Sequence, residues 1–337
     1  MTSIPIVMDV GSHQLRLGFA GSENPELVMP CLVGTPKHPR VMLQSSEDFI
    51  GASALQNRGL LKLESPVDRG VVQNWPAMEK LLAMSFQKLG AKRDENPVLV
   101  TEPVLNPRRH RERLAESLFE TFQVPALYVS LQPPLALYAS GRTSGLVLDV
   151  GEGLTQAMPV YNGFMMPHAV VRSDLAGKDV TEALLFQLRR SGLSLVTTAE
   201  RQIAREIKDA TCFVSLNSAK DDVAANQPYR LPDGRIVDMS FERHRATEVL
   251  FNPLTMGMEV RAVHEALTDA IFKSDVDLRR DLLGSIVLAG GSTLTPGFAE
   301  RLVFEVKQIA ARHVRMGGPA LPGDEGQLAS FFGADEF

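Results

Sequence analysis

Cysteine is scarce: of 337 residues only Cys31 and Cys212 carry thiols, and there is a single tryptophan. The two cysteines lie far apart and neither belongs to a CxxC pair, which excludes a disulfide framework and a four-cysteine zinc site; both read as buried thiols. The seven histidines form no HxxxH or HExxH pair, so nothing supports a zinc hydrolase. No apolar run approaches the roughly 18 residues of a membrane span. The opening Met1-Thr2-Ser3-Ile4-Pro5 lacks a basic leader, so the expectation is a soluble, intracellular chain. An excess of one charge is also missing. Lys+Arg number 35 against 40 Asp+Glu, a net charge of -5, and no long basic run offers a footprint for nucleic acid. What is present is the composition of a folded chain, 44% hydrophobic and 22% charged, long enough for two domain-sized units. A cytosolic enzyme, a binding module and a structural subunit all remain open.

An internal repeat narrows the field. Ile4-Pro5-Ile6-Val7-Met8-Asp9-Val10-Gly11-Ser12 and Gly145-Leu146-Val147-Leu148-Asp149-Val150-Gly151-Glu152-Gly153 follow one plan: an apolar run, an aspartate, one residue, then glycine. Each run suits a buried strand and each Asp-x-Gly a sharp turn at its end. After the first turn Leu15, Leu17 and Phe19 alternate with Arg16, Gly18 and Ala20, the pattern of a returning hairpin strand. Backbone amides poised in such a turn converge on phosphate oxygens, a hydroxyl such as Ser12 adds a donor, and the nearby carboxylate suits hydrated Mg²⁺. Either turn alone reads more readily as an ordinary hairpin whose Asp and Gly serve turn geometry.

A third element favours the phosphate reading. Ile286-Val287-Leu288-Ala289-Gly290-Gly291-Ser292-Thr293-Leu294-Thr295-Pro296-Gly297 predicts a buried strand, a glycine pair, and a helix start with Thr295 as N-cap and Pro296 at the first helical position. Paired glycines there let backbone come close to a flat base or a phosphate. The ordered trio resembles the ATPase superfamily of actin, heat-shock chaperones and sugar kinases, and the stretches between the turns are similar to actin in particular. Matching runs include Leu17-Gly18-Phe19-Ala20-Gly21, Thr101-Glu102-Pro103, Phe119-Glu120-Thr121-Phe122-Gln123-Val124-Pro125-Ala126, Asp174-Leu175-Ala176-Gly177, Thr197-Thr198-Ala199-Glu200-Arg201 and Leu231-Pro232-Asp233-Gly234. They run in order from the first residues to about residue 311.

The resemblance implies an α/β actin-like ATPase fold, two similar lobes of mixed β-sheets flanked by helices, with a nucleotide cleft between them. The small lobe would take 1–30 and 66–139, with an insert at 31–65 that includes an actin-type insert loop at 39–49. The large lobe would take 140–175 and 259–319, with an insert at 176–258. The local pattern agrees: Leu114, Leu118 and Phe122 share one face of a helix between His110 and Phe122, and Thr197-x-x-Glu200 is a capping box. Position by position, the resemblance implies ATP or ADP held by Asp9, Gly11, Ser12 and Arg16 in the first loop and by Gly151, Glu152 and Gly153 in the second. Gly177, Arg205, Lys208 and Asp209 match further contacts, and Gly290, Gly291 and Ser292 the adenine turn. Asp9 and Asp149 would hold Mg²⁺ through water, with Gln132, Asp149 and Gln156 placing the attacking water. Without the resemblance, Arg205, Lys208 and Asp209 are a solvated helix face.

Several positions depart from actin. Gln156 stands where actin has a histidine and cannot protonate near neutral pH. Glu152 replaces an aspartate, Arg69 a methylated histidine, and Thr295 a tyrosine beside the adenine. His13 replaces a glycine, and a side chain at a turn position of positive φ would strain the turn or crowd the γ-phosphate. The expectation is therefore ATP binding with slow or absent hydrolysis. After Arg312 the resemblance fades into a Gly/Pro-rich stretch, 316–326, that reads as loop, with no counterpart of actin's last helices. An apolar patch would then need the tail 328–332 or a partner to cover it. The loop 39–49 keeps Val41-Met42-Leu43, which reads either as an inserting loop or as a buried strand; Tyr138 and Phe164 match the groove that receives such a loop in actin. With that groove short of a wall, self-polymerisation is not expected. The function implied is a cytoplasmic cytoskeletal component or regulator whose partners are cytoskeletal proteins, actin or other actin-related proteins among them. A nucleotide-independent scaffold is the alternative. A sugar kinase would need a substrate loop with a catalytic aspartate, and a chaperone a separate peptide-binding domain; the chain has neither pattern.

Overall fold

The computed structural model describes residues 3–37, 49–216 and 226–315. The insert loop apart from Phe49, and the tail beyond Arg315, lie outside the described residues, so the expectations for 39–48 and for 316–337 fall there too. Contacts divide the chain into two compact units, 1–132 and 133–337.

In the first unit, β1 (Ile6–Val10), β2 (Gln14–Phe19), β3 (Leu27–Pro30), β6 (Val98–Glu102) and β7 (Leu127–Leu131) form one sheet in the order β7-β6-β1-β2-β3. Between them in the chain, the short strands β4 (Val67–Asp68) and β5 (Val71–Val72) pair with each other. β1 runs parallel to β6 and antiparallel to β2, with Asp9 opposite Arg16. Period-2 alternation sets the faces: Ile6 and Met8 are buried while Val7 is exposed. Helix α1 (Trp75–Leu89) covers the buried face with Met78, Leu81, Leu82 and Phe86. Its start is fixed by Asn74, whose side chain accepts from the Ala77 N–H at 3.1 Å, a cap worth about 1 kcal/mol, and its end by Gly90 in the left-handed region. Helix α2 (Arg108–Glu116) begins two residues before the expected start and continues as a wider turn through Thr121. Leu114, Leu118 and Phe122 still reach the same core, with the Phe86 and Phe122 rings 5.4 Å apart.

The second unit repeats the plan. β8 (Gly145–Val150) pairs antiparallel with β9 (Thr155–Tyr161), which carries β10 (Val171–Ser173), and parallel with β11 (Ile286–Ala289). Asp149 sits opposite Gln156, just as Asp9 sits opposite Arg16. Around this sheet pack α3 (Gly177–Arg190), α4 (Thr198–Thr211), α5 (Val263–Lys273) and α6 (Phe298–Arg315), through Leu184, Ile207, Leu267, Ile271 and Leu302. The capping box of α4 forms as the sequence predicts: Thr197 Oγ1 accepts from Glu200 N, and Glu200 returns an acceptor to Thr197 N at 2.7 Å.

One helix start differs from expectation. Thr295 and Pro296 do not open α6; the glycine pair leads into a single tight turn, and α6 begins only at Phe298. Pro296 O accepts from Val214 N at 2.7 Å, and Gly297 has φ +83, which breaks the helical path. A Cβ on Gly297 would sit 2.2 Å from Val214 O, so this pinning sets the boundary. Both cysteines are buried, and burial pushes each thiol up to about 12.

Candidate functional site

The two hairpin turns have the same local geometry. Gly11 N donates to Gln14 O at 3.1 Å, and Gly151 N to Leu154 O at 3.1 Å. In each the aspartate lies two residues before the glycine, at the carboxyl end of a central strand, which is where ligand-binding loops gather in α/β sheets.

In the first unit Asp9 is held by three side chains. Its Oδ1 accepts from Thr101 Oγ1 at 2.6 Å and Gln132 Nε2 at 3.0 Å, and its Oδ2 from Arg16 Nη1 at 3.3 Å. A carboxylate offers about four acceptor positions, so Asp9, with 31% of its side chain exposed, retains room for a water on a bound cation. The Asp9–Arg16 pair is exposed enough that it orients Arg16 more than it stabilises the fold. Ser12 is tied from two sides: its Oγ accepts from Gly70 N at 3.1 Å and its carbonyl from Ser65 Oγ at 3.2 Å. The hairpin tip at Arg69 and Gly70 has positive φ at both residues, so the arginine occupies a strained turn position. His13 does not: it lies outside the left-handed region, which corrects the expectation of strain there. The turn uses Gly11 because a Cβ would meet Gln14 O at 2.8 Å.

In the second unit Asp149 Oδ2 accepts from Gln156 Nε2 at 2.9 Å, and Gln156 is almost wholly buried. The loop is fastened on three sides. Gly151 O accepts from Ser292 Oγ at 2.8 Å and Gly177 N at 3.0 Å, and Glu152 O from Lys178 N at 2.8 Å. The Glu152 carboxylate accepts from Arg205 and Lys208. Asp209 follows at 3.6 Å from Lys208, and partial burial raises its pKa against the pull of that lysine. Gly153 is buried within the turn.

The glycine pair divides its work. Gly290, at φ +87, would drive a Cβ to 2.4 Å from Val150 O and 2.5 Å from Asp149 Oδ1, so the chain's own packing requires it. Gly291 opens onto space in which a Cβ would meet nothing within 4 Å, and beside it Leu294 is 72% exposed. Both glycines are exposed, so each leaves backbone open to a ligand, but only Gly291 would also tolerate a side chain. Among the described residues no three His, Cys, Asp or Glu side chains gather as a metal site.

Sequence reading named Asp9, Gln132, Asp149 and Gln156 without pairing them; the structure joins Asp9 to Gln132 and Asp149 to Gln156, and adds Thr101 and Ser65, which the sequence reading did not single out as site residues. Thr101 reaches Asp9 from a neighbouring parallel strand, with Met8 opposite Val100, a pairing that local pattern cannot reveal.

Repeated Asp-Gly hairpins on paired α/β units, with a glycine turn after the strand beside the second, define a protein of the actin fold. The family model for actin matches residues 2–335, past the point at which the motif-by-motif likeness fades. An "Actin-like protein" of Neurospora crassa is 47% identical over 325 residues, covering 93% of this chain and 86% of that one. The chain belongs to the actin family.

Proposed function

We propose that the protein binds Mg-ATP through both hairpin loops, hydrolyses it slowly or not at all, and serves as a component or regulator of a cytoskeletal assembly. The observation that carries this reading is the repeated hairpin: each unit has an aspartate two residues before a turn glycine, and each aspartate accepts from a glutamine amide. In this reading Gly11, Ser12, Arg16, Gly151, Gly153 and the backbone of Glu152 line the phosphates. Asp9 and Asp149 hold the hydrated Mg²⁺, which when bound neutralises charge on the phosphates. Gly177, Gly290, Gly291, Ser292, Arg205, Lys208 and Asp209 surround the nucleoside. Gln132 and Gln156 orient the carboxylates and the attacking water.

Slow turnover follows from Gln156. Its amide N is committed to Asp149, and a neutral amide supplies no titrating proton near pH 7. The partners would be cytoskeletal proteins of the cytoplasm, actin or other actin-related proteins. Among the described residues no helix is long and apolar enough to cross a membrane.

Calorimetric titration with Mg-ATP should release heat at a single site per chain, and phosphate release should lag behind that of actin under the same conditions. Absence of heat would overturn the nucleotide reading. Sedimentation with Mg-ATP should leave the chain alone in the supernatant and, if actin is the partner, carry it down only in the mixture. A nucleotide-independent scaffold has one observation in its favour: Arg205 and Lys208 already have a counterion in Glu152.

A further inference from the structure

Arg205 and Lys208 lie three residues apart on α4, so both point from the same face, where two cations repel unless an anion lies between them. Glu152 is that anion. Its Oε1 accepts from Arg205 Nη2 at 2.7 Å and Nε at 3.1 Å, while its Oε2 accepts from Lys208 Nζ at 3.1 Å. Lys208 spends a further hydrogen on Gly177 O at 3.2 Å. The three side chains are only 18%, 12% and 10% exposed for Arg205, Lys208 and Glu152, so solvent screens little of the interaction. The carboxylate also fills space: Glu152 Oε2 lies 2.7 Å from where a Gly177 Cβ would be. A side chain one methylene shorter would have less reach with which to span both cations.

We propose that Glu152 is a built-in counterion, a positioning residue that competes with bound nucleotide for Arg205 and Lys208 and keeps the 151–153 loop fastened to α4 when no nucleotide is there. The proposal rests on the nucleotide reading above. A partly anionic ligand entering beside α4 meets two cations that share the Glu152 charge, with Asp209 3.6 Å from Lys208 as well, so it gains less from them than from free cations.

Glu152→Gln separates competition from simple support. Competition predicts that the variant binds Mg-ATP about threefold to tenfold more tightly than wild type, because the anion shared by the two cations is removed. In the same variant without nucleotide, hydrogen exchange should quicken in 151–153 and 198–211. Glu152→Asp, which keeps the charge and shortens the arm, should fall between the two chains on both measurements, and it carries the test if the glutamine variant does not fold. Weaker binding in the variants, or exchange unchanged from wild type, would overturn the proposal. No binding by wild type or variant would overturn the nucleotide reading and the competition with it, whereas binding by both that is weaker in the variant overturns the competition alone.

Discussion

The two Asp-Gly hairpins share a backbone and differ in what holds them. The first is braced by hydroxyls and an exposed arginine: Thr101 and Arg16 on Asp9, Ser65 and Gly70 on Ser12. The second is braced by buried charge and close backbone packing, with Glu152 between Arg205 and Lys208 and Gly290 pressed against Val150 and Asp149. Water competes for the Arg16–Asp9 contact of the first set, and little reaches the Glu152 cluster of the second, so substitutions in the second hairpin should cost the fold more.

The largest expected effect comes from Gly290→Ala. It adds both a forbidden φ and a contact at 2.4 Å with backbone, so unfolding should lose ~3 kcal/mol or more. Gly11→Ala meets Gln14 O at 2.8 Å without positive φ and should lose roughly 1–2 kcal/mol. Gly291→Ala, with open space around it, should stay within about 0.5 kcal/mol and serves as the control. Urea midpoints of the three variants check the order, and equal losses at Gly11 and Gly290 would break the comparison.

The glutamines test the same contrast more gently. Gln156→Leu removes a buried amide and leaves a partly buried Asp149 oxygen short of a donor, and should lose about 1–3 kcal/mol. Gln132→Leu leaves Asp9 with Thr101, Arg16 and solvent, and the loss should stay below about 1 kcal/mol. A thermal melt of each variant beside wild type decides.

Where these contrasts were legible in the sequence depends on distance along the chain. The hairpins could be read because Asp9 and Arg16, like Asp149 and Gln156, lie seven residues apart and face each other once a two-residue turn is assumed. The α4 cap could be read from Thr197 and Glu200 for the same reason. Thr101, Ser65 and the Glu152 triad could not, since each is set by packing between elements distant in sequence. The packing demand on Gly290 was hidden for a related cause. A glycine needed by the protein's own backbone looks the same in sequence as one kept for a ligand, and only the 2.4 Å approach to Val150 O tells them apart.

A titrating group adds pH to the contrast. His264, in the second unit, stacks on Phe251 at 5.9 Å, with Nδ1 buried and without a hydrogen-bond partner among the described residues. Burial lowers its pKa, with Glu305 and Glu265 opposing, so the folded chain holds it neutral while the unfolded chain protonates near 6.5. The unfolded state then binds more protons. Stability is complete above about pH 6.5 and falls as pH drops toward the folded pKa, by at most ~1.4 kcal/mol per unit. Denaturation at pH 7.5 and 5.5 should show this loss in wild type and less of it in His264→Phe.

The smallest effect on stability should be the most informative about function. Arg16 is 48% exposed, and its pair with Asp9 spans 3.3 Å, so Arg16→Ala should move the unfolding midpoint by no more than ~0.5 kcal/mol. If the first hairpin faces phosphate, the same change removes a cation from the ligand and should weaken Mg-ATP binding by about tenfold, the scale of one charge-assisted contact. Arg16→Lys keeps the charge and should recover most of that affinity. A hairpin whose arginine serves only the fold would give the reverse: a measurable loss of stability, with calorimetric affinity for Mg-ATP the same in all three chains.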